Sequence, residues 1–206
     1  MTDDIPRRTI ERLPLYKKTM QTLSMAGRTH ISSDEIASLL QLSDAQIRKD
    51  LSYFGKFGVR GKGYDIESLS DKISEILGTT RTFPCILVGV GNIGQALLSY
   101  GGFKNRNFEI QAAFDVNEKI VGNTINECRV RHSSKIESFL DDQEIELAIV
   151  AVPVESAQDV LRHLANCGIR GILNFAPVVP DVPDDIIVEN VDLSTNLEVL
   201  AYFLNN

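Results

Sequence analysis

The apolar residues change their spacing partway along the chain. Before residue 78 they recur at helical intervals. RLPLYKKTMQTLSMAG places Leu15, Met20 and Leu23 near one helical face and stops at Gly27. ISSDEIASLLQL opens with Ser32-x-x-Glu35, a capping-box pattern, and predicts a helix over 33–40. Ser43-x-x-Gln46 repeats the pattern and predicts a second helix over 44–54. Two capped helices a few residues apart have helix-turn-helix spacing. From Phe83 onward apolar runs alternate with amphipathic stretches. Strands are predicted at 84–90, 108–115, around 128–132, 145–152, 171–176 and 186–192, and helices at 92–100, 134–141, 155–166 and 194–204. Apolar strands separated by helices indicate a parallel sheet covered on both faces. The expected fold class is α/β: an α-rich winged-helix domain followed by a Rossmann-like doubly wound sheet. Gly78-Thr-Thr-Arg-Thr-Phe-Pro84 reads as the linker, which gives domains at 1–79 and 80–192 and a terminal helix at 193–206.

Charge sharpens the division. Residues 1–64 hold 11 Lys and Arg against 7 Asp and Glu, while the remainder holds 10 against 21, within a chain of net charge −7. A positive first third beside an acidic remainder suggests that the front module meets a polyanion. The predicted second helix, SDAQIRKDLSYF, supplies Ala45, Ile47, Leu51 and Phe54 as apolar contacts. Ser43, Gln46, Arg48, Lys49 and Ser52 then remain as candidates for base edges and phosphates, the division of labour of a recognition helix. GKFGVRGKGY, residues 55–64, follows with four glycines and the cations Lys56, Arg60 and Lys62. It reads as a wing whose tip, Arg60 and Lys62, suits the minor groove.

The back module opens with CILVGVGNIGQALLSY at 85–100, where Gly89-Val90-Gly91-Asn92-Ile93-Gly94 follows a strand and begins a helix. Gly89 suits a tight turn, Gly91 a close approach of backbone to a pyrophosphate, and Gly94 close packing of helix on strand. The helix N-terminus adds N–H groups and a partial positive charge. Asp115 ends the second predicted strand, 24 residues after Gly91. A carboxylate there accepts hydrogen bonds from ribose hydroxyls and repels a 2′-phosphate, which favours NAD(H) over NADP(H). Val152 and Pro153, with Asn174, Phe175, Ala176 and Pro177, follow the fourth and fifth strands and are expected to line the same crevice.

A dehydrogenase also needs a second substrate and an acid or base. The 127 residues after residue 79 leave room for little beyond the nucleotide domain. His30, His132 and His163 read as surface or packing residues, and no metal-ligand spacing is present. The nucleotide is therefore expected as a sensed ligand, bound unequally by two states of the protein. Cys85, Cys128 and Cys167 have no paired spacing and read as reduced thiols of a cytoplasmic protein, or alternatively as including a redox sensor. The N-terminus lacks a secretory h-region, and runs such as LAIVAV are too short to span a bilayer. The apolar terminal helix, Ser194 to Leu204, either closes its own sheet or packs on a partner; half-sites on DNA call for a dimer. The alternative reading is a small NAD-dependent oxidoreductase, or a binder of CoA or another adenine nucleotide, with an accessory helical domain.

SSDEIASLLQLSDAQIRKDLSYFGKFGVRGKGYD, ILVGVGNIGQALLSY, AAFD, AVP, NFAP and VDLSTNLEVLAYFL together resemble the Rex family of bacterial redox-sensing repressors, over nearly the whole chain. The resemblance implies a homodimer on a palindromic operator, controlling genes of fermentative and anaerobic metabolism. It implies release from DNA by NADH, compatibility of NAD⁺ with binding, and a C-terminal helix swapped between the partner's domains. It carries Arg48, Lys49, Lys56 and Arg60 as DNA contacts, and Gly89 to Gly94 with Asp115 as NAD(H) contacts. It also implies that Tyr100 and Asp192 exchange partners in the switch. Some members have an arginine where this chain has Lys18, so that contact here would be a point charge rather than a fork.

Overall fold

A computed structural model describes residues 5–59 and 61–205, and the chain divides into two compact units, Met1–Arg81 and Thr82–Asn206.

The first unit begins with α1 (Arg7–Met25), then β1 (His30–Ile31), α2 (Ser33–Leu40), α3 (Asp44–Ser52), β2 (Gly58–Val59), β3 (Gly63–Asp65) and α4 (Ile66–Ile76). Leu13, Tyr16 and Met20 form the buried face of α1, while Leu15 lies outside. Spacings of three and four residues put the first three on one stripe, and Leu15 is rotated off it. Ser32 caps α2 reciprocally: its hydroxyl accepts from the Glu35 N–H, and the Glu35 carboxylate accepts from the Ser32 N–H at 2.9 Å. α3 is capped on one side only. The Ser43 hydroxyl accepts from the Gln46 N–H at 3.1 Å, but the Gln46 side chain turns elsewhere. Ile47 and Leu51 of α3 join Leu13, Tyr16, Met20, Ile36, Leu69 and Ile73 in one core. Ala45, expected on that face, is exposed, because two residues before Ile47 it is rotated more than half a turn from the buried stripe of Ile47, Asp50 and Leu51. β2 and β3 pair antiparallel and β1 adds to β3, the small sheet of a winged helix.

The second unit contains β4 (Phe83–Val88), α5 (Asn92–Leu98), β5 (Phe108–Asp115), β6 (Thr124–Ile125), β7 (Cys128–His132), α6 (Ile136–Leu140), β8 (Leu147–Val150), α7 (Val154–Asn166), β9 (Gly171–Asn174), β10 (Ile187–Asn190) and α8 (Leu193–Asn205). The sheet order is β10-β9-β8-β4-β5-β7-β6. Without β6 this is the Rossmann order, with its switch point between β4 and β8. All pairings are parallel except β6 with β7, so the expected parallel sheet carries one antiparallel edge. Buried strand residues on either side of the sheet, such as Ile86, Phe114 and Val150 on one and Leu87, Ala113 and Ile149 on the other, pack into two separate clusters. No residue of α8 is buried, and Leu193, Leu197, Val199, Leu200, Tyr202, Phe203 and Leu204 stand exposed on it.

Candidate functional site

The DNA-reading surface proposed for the first unit is built on α3. Its buried face is unusual in holding a carboxylate. Asp50 is fully buried. Its Oδ1 accepts from Thr9 Oγ1 at 3.0 Å, Arg12 Nη2 at 2.7 Å and Gln46 Nε2 at 2.8 Å, and its Oδ2 accepts from Arg12 Nε and Tyr16 Oη, both at 2.5 Å. Burial alone would push this carboxyl up. The hydrogen bonds from Arg12, Tyr16, Gln46 and Thr9 outweigh that and hold it at about 2. Tyr16 is pushed up, by burial and then by Asp50 beside it. Sequence reasoning missed this network. The available signal was an Asp at helical spacing with Ile47, Leu51 and Phe54, a core position that a carboxylate occupies only with partners.

The opposite face of α3 carries the exposed cations. Arg48 forms an ion pair with Asp44 at 2.5 Å and donates to Ser33 Oγ at 3.2 Å, which ties α3 to the start of α2. The Arg48 hydrogen bond holds the Asp44 carboxyl below its ordinary range. Lys49 and Ser52 are exposed, with the Ser52 hydroxyl donating to the Lys49 carbonyl at 2.7 Å. A cleft of about 810 Å³ runs between this helix and the wing, lined by Arg28, Arg48, Ser52, Lys56, Lys62 and Tyr64 among others. Glu35 at its edge is held at about 2 by the Ser32 backbone and the Arg28 guanidinium. Arg48, Ser52, Lys56 and Lys62 are thus brought together, whereas Gln46 is half-buried and committed through its nitrogen to Asp50. Arg60 lies outside the described residues.

In the second unit, parallel register aligns the strand ends. Gly89 N–H donates to the Phe114 carbonyl, Ala151 N–H to Val88, Phe175 N–H to Val150 and Val191 N–H to Asn174, each at 2.8 Å. This row sets Asp115, Gly89, Ala151, Phe175 and Val191 along one edge of the sheet. Gly89 has φ of +94°, and a Cβ there would lie 2.4 Å from the Ala151 carbonyl oxygen. A Cβ on Gly94 would lie 2.0 Å from the Gly89 carbonyl oxygen, so helix and loop can touch there only because residue 94 has no side chain. Around Gly91, by contrast, no atom of the described residues, apart from its chain neighbours and the backbone of its own helix, stands within 4 Å of where a Cβ would be, which leaves the approach to the loop open.

Asp115 is bound to this loop. Its Oδ2 accepts from the Val90 N–H at 2.6 Å and its Oδ1 from the Asn117 N–H at 2.8 Å. Each oxygen keeps further acceptor capacity for a hydroxyl. The Val90 side chain is buried, so Val90 contributes backbone only, while Asn92 and Ile93 are exposed. The N–H groups of the Gly loop and of the first helical turn, as donors, and the carboxylate on the neighbouring strand, as acceptor, form a set suited to a dinucleotide. Val152 packs over Gly89, and Pro153 starts α7. Asn174 is fully buried. It donates to Ala176 O and Asn190 Oδ1, both at 2.8 Å, and accepts from the Ala176 N–H. Its side chain shapes the turn that presents Phe175, half-buried, and Pro177, exposed.

Tyr100 follows α5, largely exposed, its ring edge-on to Phe103 at 5.1 Å. Asp192 accepts from the Ser194 N–H at 2.8 Å and from Thr195 Oγ1 at 3.1 Å; the Ser194 backbone bond and then Thr195 hold its carboxyl below the ordinary range. It therefore caps α8. Lys18 is exposed on α1, in the other unit. His30 and His163 are exposed, and His132 accepts from the Ser134 N–H at 3.2 Å. Cys85 and Cys128 are buried, with Cys85 pushed up to about 12 by burial, and Cys167 is half-buried. Among the described residues no helix is long and apolar enough to cross a membrane.

Residues 80–178 match the family model described as "CoA binding domain", and residues 4–52 the model described as "Putative DNA-binding protein N-terminus". The chain is 45% identical to the redox-sensing transcriptional repressor Rex of Carboxydothermus hydrogenoformans, over 96% of this chain and 95% of that protein. It is 39% identical to Rex of Clostridioides difficile, over 98% of this chain and 96% of that protein. Among solved structures it is similar to RSP in complex with β-NAD⁺ and operator DNA (TM-score 0.92, 36% identity, 98% of this chain, 93% of that one). It is equally similar to RSP in complex with β-NADH (TM-score 0.91, 34% identity, 99% and 96%). With two units of the expected architecture in the expected order, and full-length identity of this degree, the chain belongs to the Rex family of redox-sensing transcriptional repressors.

Proposed function

We propose that the protein is a repressor that reads the NADH/NAD⁺ balance, binding a palindromic operator as a homodimer through its winged-helix unit and leaving it when NADH occupies the Rossmann-like unit. The observation that carries this reading is the joining, in one chain, of a cationic recognition face to a glycine loop with Asp115 bound against it. NAD(H) is a sensed ligand, not a catalytic cofactor. Arg48, Lys49, Ser52, Lys56, Arg60 and Lys62 serve DNA, with Ser43 and Gln46 at the helix start. Gly89 to Gly94 and Asp115 hold the nucleotide, with Val152, Pro153, Phe175 and Pro177 at the crevice edge and Asn174 supporting it. The target genes are those of fermentative and anaerobic metabolism, and the protein works in the cytoplasm.

The domains run 1–79, 80–192 and 193–206. The last is the helix whose apolar side chains are exposed, and we assign it to the partner subunit in a swapped dimer. The switch runs through Asp192, Tyr100 and Lys18: Asp192 gives up part of its capping role when it changes partner. A ligand shifts such an equilibrium only by its unequal affinity for the two states, and the charged oxidised ring against the neutral reduced ring supplies that inequality. The test is a gel shift on a palindromic operator titrated with NADH, NAD⁺ and CoA. NADH alone should release the protein, and operator DNA should weaken NADH binding by the same factor, as linkage requires. Equal effects of NADH and NAD⁺ would refute the sensor. Release by CoA would support the alternative nucleotide instead.

A further inference from the structure

The buried carboxylate of the recognition helix has a consequence for the bases that helix reads, on the reading of α3 as the DNA-contacting element. Gln46 is the third residue of α3, in the turn by which recognition helices reach base edges. Its backbone is fixed by the Ser43 cap and its side-chain nitrogen by Asp50. A glutamine amide can ordinarily present either its oxygen or its nitrogen outward. Here the choice is forced. Asp50 accepts only, and both its oxygens are already held by Arg12, with Tyr16 and Thr9 added, so it cannot rotate away. The amide nitrogen must face inward. Among the described residues nothing donates to Gln46 Oε1, and no buried side-chain oxygen or nitrogen lacks a partner, so this oxygen is open to solvent.

We propose that Asp50, clamped by Arg12, Tyr16 and Thr9 of α1, is a positioning residue for base recognition: it locks Gln46 with its carbonyl outward, making Gln46 a reader of an exocyclic amino group in the major groove. Adenine N6 and cytosine N4 offer such a donor there. Guanine and thymine offer acceptors at the corresponding edge and are refused. The buried ion pair thereby has a role besides stability, because it specifies one side-chain orientation.

The full-length protein is used to select binding sites from a randomised duplex library. The wild type should favour adenine or cytosine at one position of each half-site, by about 5- to 150-fold over guanine or thymine, the range of one good base contact. Gln46→Ala should flatten that position alone. Asp50→Asn should flatten the same position, because an amide can donate to Gln46 and let it turn over, while affinity for non-specific DNA stays unchanged. Arg12→Lys, which keeps the charge and loses the fork, should do so partially and serves where Asp50→Asn does not fold. A merely structural Asp50 would instead weaken specific and non-specific DNA in proportion, and that result overturns the proposal. So do a Gln46→Ala profile identical to wild type, and a network variant that relaxes a different position. If the wild type selects no sequence at all, the DNA-reading assignment falls with it.

Discussion

Asp115→Ala separates the ligand site from the DNA site. In the wild type the carboxylate is spent on two backbone N–H groups, Val90 at 2.6 Å and Asn117 at 2.8 Å, and has capacity left for ribose hydroxyls. A hydrogen bond to a charged group is worth about 1.5–3 kcal/mol net. Loss of the ribose contact alone therefore weakens NADH by about 10- to 150-fold, at ten-fold per 1.4 kcal/mol. The Val90 N–H adds to this. Its residue is buried in the glycine loop proposed to hold the pyrophosphate, and without Asp115 the loop loses that hydrogen bond. Asp115→Asn keeps one acceptor, for either the Val90 or the Asn117 N–H, and turns an amide donor toward the other, so its NADH affinity should fall between wild type and Asp115→Ala. The assay pairs an NADH fluorescence titration with operator anisotropy in the absence of nucleotide. Asp115 belongs to the second unit, and α3 and the wing to the first, so DNA affinity of the nucleotide-free protein should stay near wild type. Unchanged NADH affinity would refute the ribose assignment. Collapse of DNA binding would make Asp115 a structural residue.

Three further outcomes follow from the geometry. Gly89→Ala should destabilise the second unit and abolish NADH binding, because strain at φ of +94° of about 1–3 kcal/mol is joined by a Cβ 2.4 Å from a strand carbonyl; thermal melting and NADH titration measure both. Asp50, held at about 2 in the folded protein against about 3.9 unfolded, stabilises fully above the unfolded value, and that contribution is lost as pH falls from about 4 toward 2; Asp50→Asn should flatten this limb of the melting-temperature profile. Lys62→Ala should weaken all DNA alike and reduce the slope of log affinity against log salt by about 0.9, whereas a base-reading residue would change the preferred sequence.

The features legible in the sequence are those fixed locally or by strict register. Ser32 and Ser43 mark helix starts because a hydroxyl reaches an N–H three residues on without help from the rest of the chain. Asp115 is placed by spacing because a parallel strand beside β4 must end level with the glycine loop. What was not legible depends on partners far apart in sequence. Asp50 meets Tyr16 across 34 residues and Thr9 across 41, so nothing near the RKD stretch reveals that Gln46 turns inward rather than back to Ser43. The β6–β7 hairpin escaped for another reason. Its turn places Asn126 and Glu127 at positive φ, and a glutamate there gives no hint of the Asn-Gly pattern that announces such turns. Leu15 and Leu13 differ by two places and by everything in burial, since two residues rotate a helix position by more than half a turn. The same logic separates Asp50 from its neighbours Arg48 and Lys49. Cations on the solvent side of α3 announce a polyanion from sequence alone, but a carboxylate on the buried side acquires meaning only when α1 is laid against it, and it then decides which way the one amide in the first turn must point.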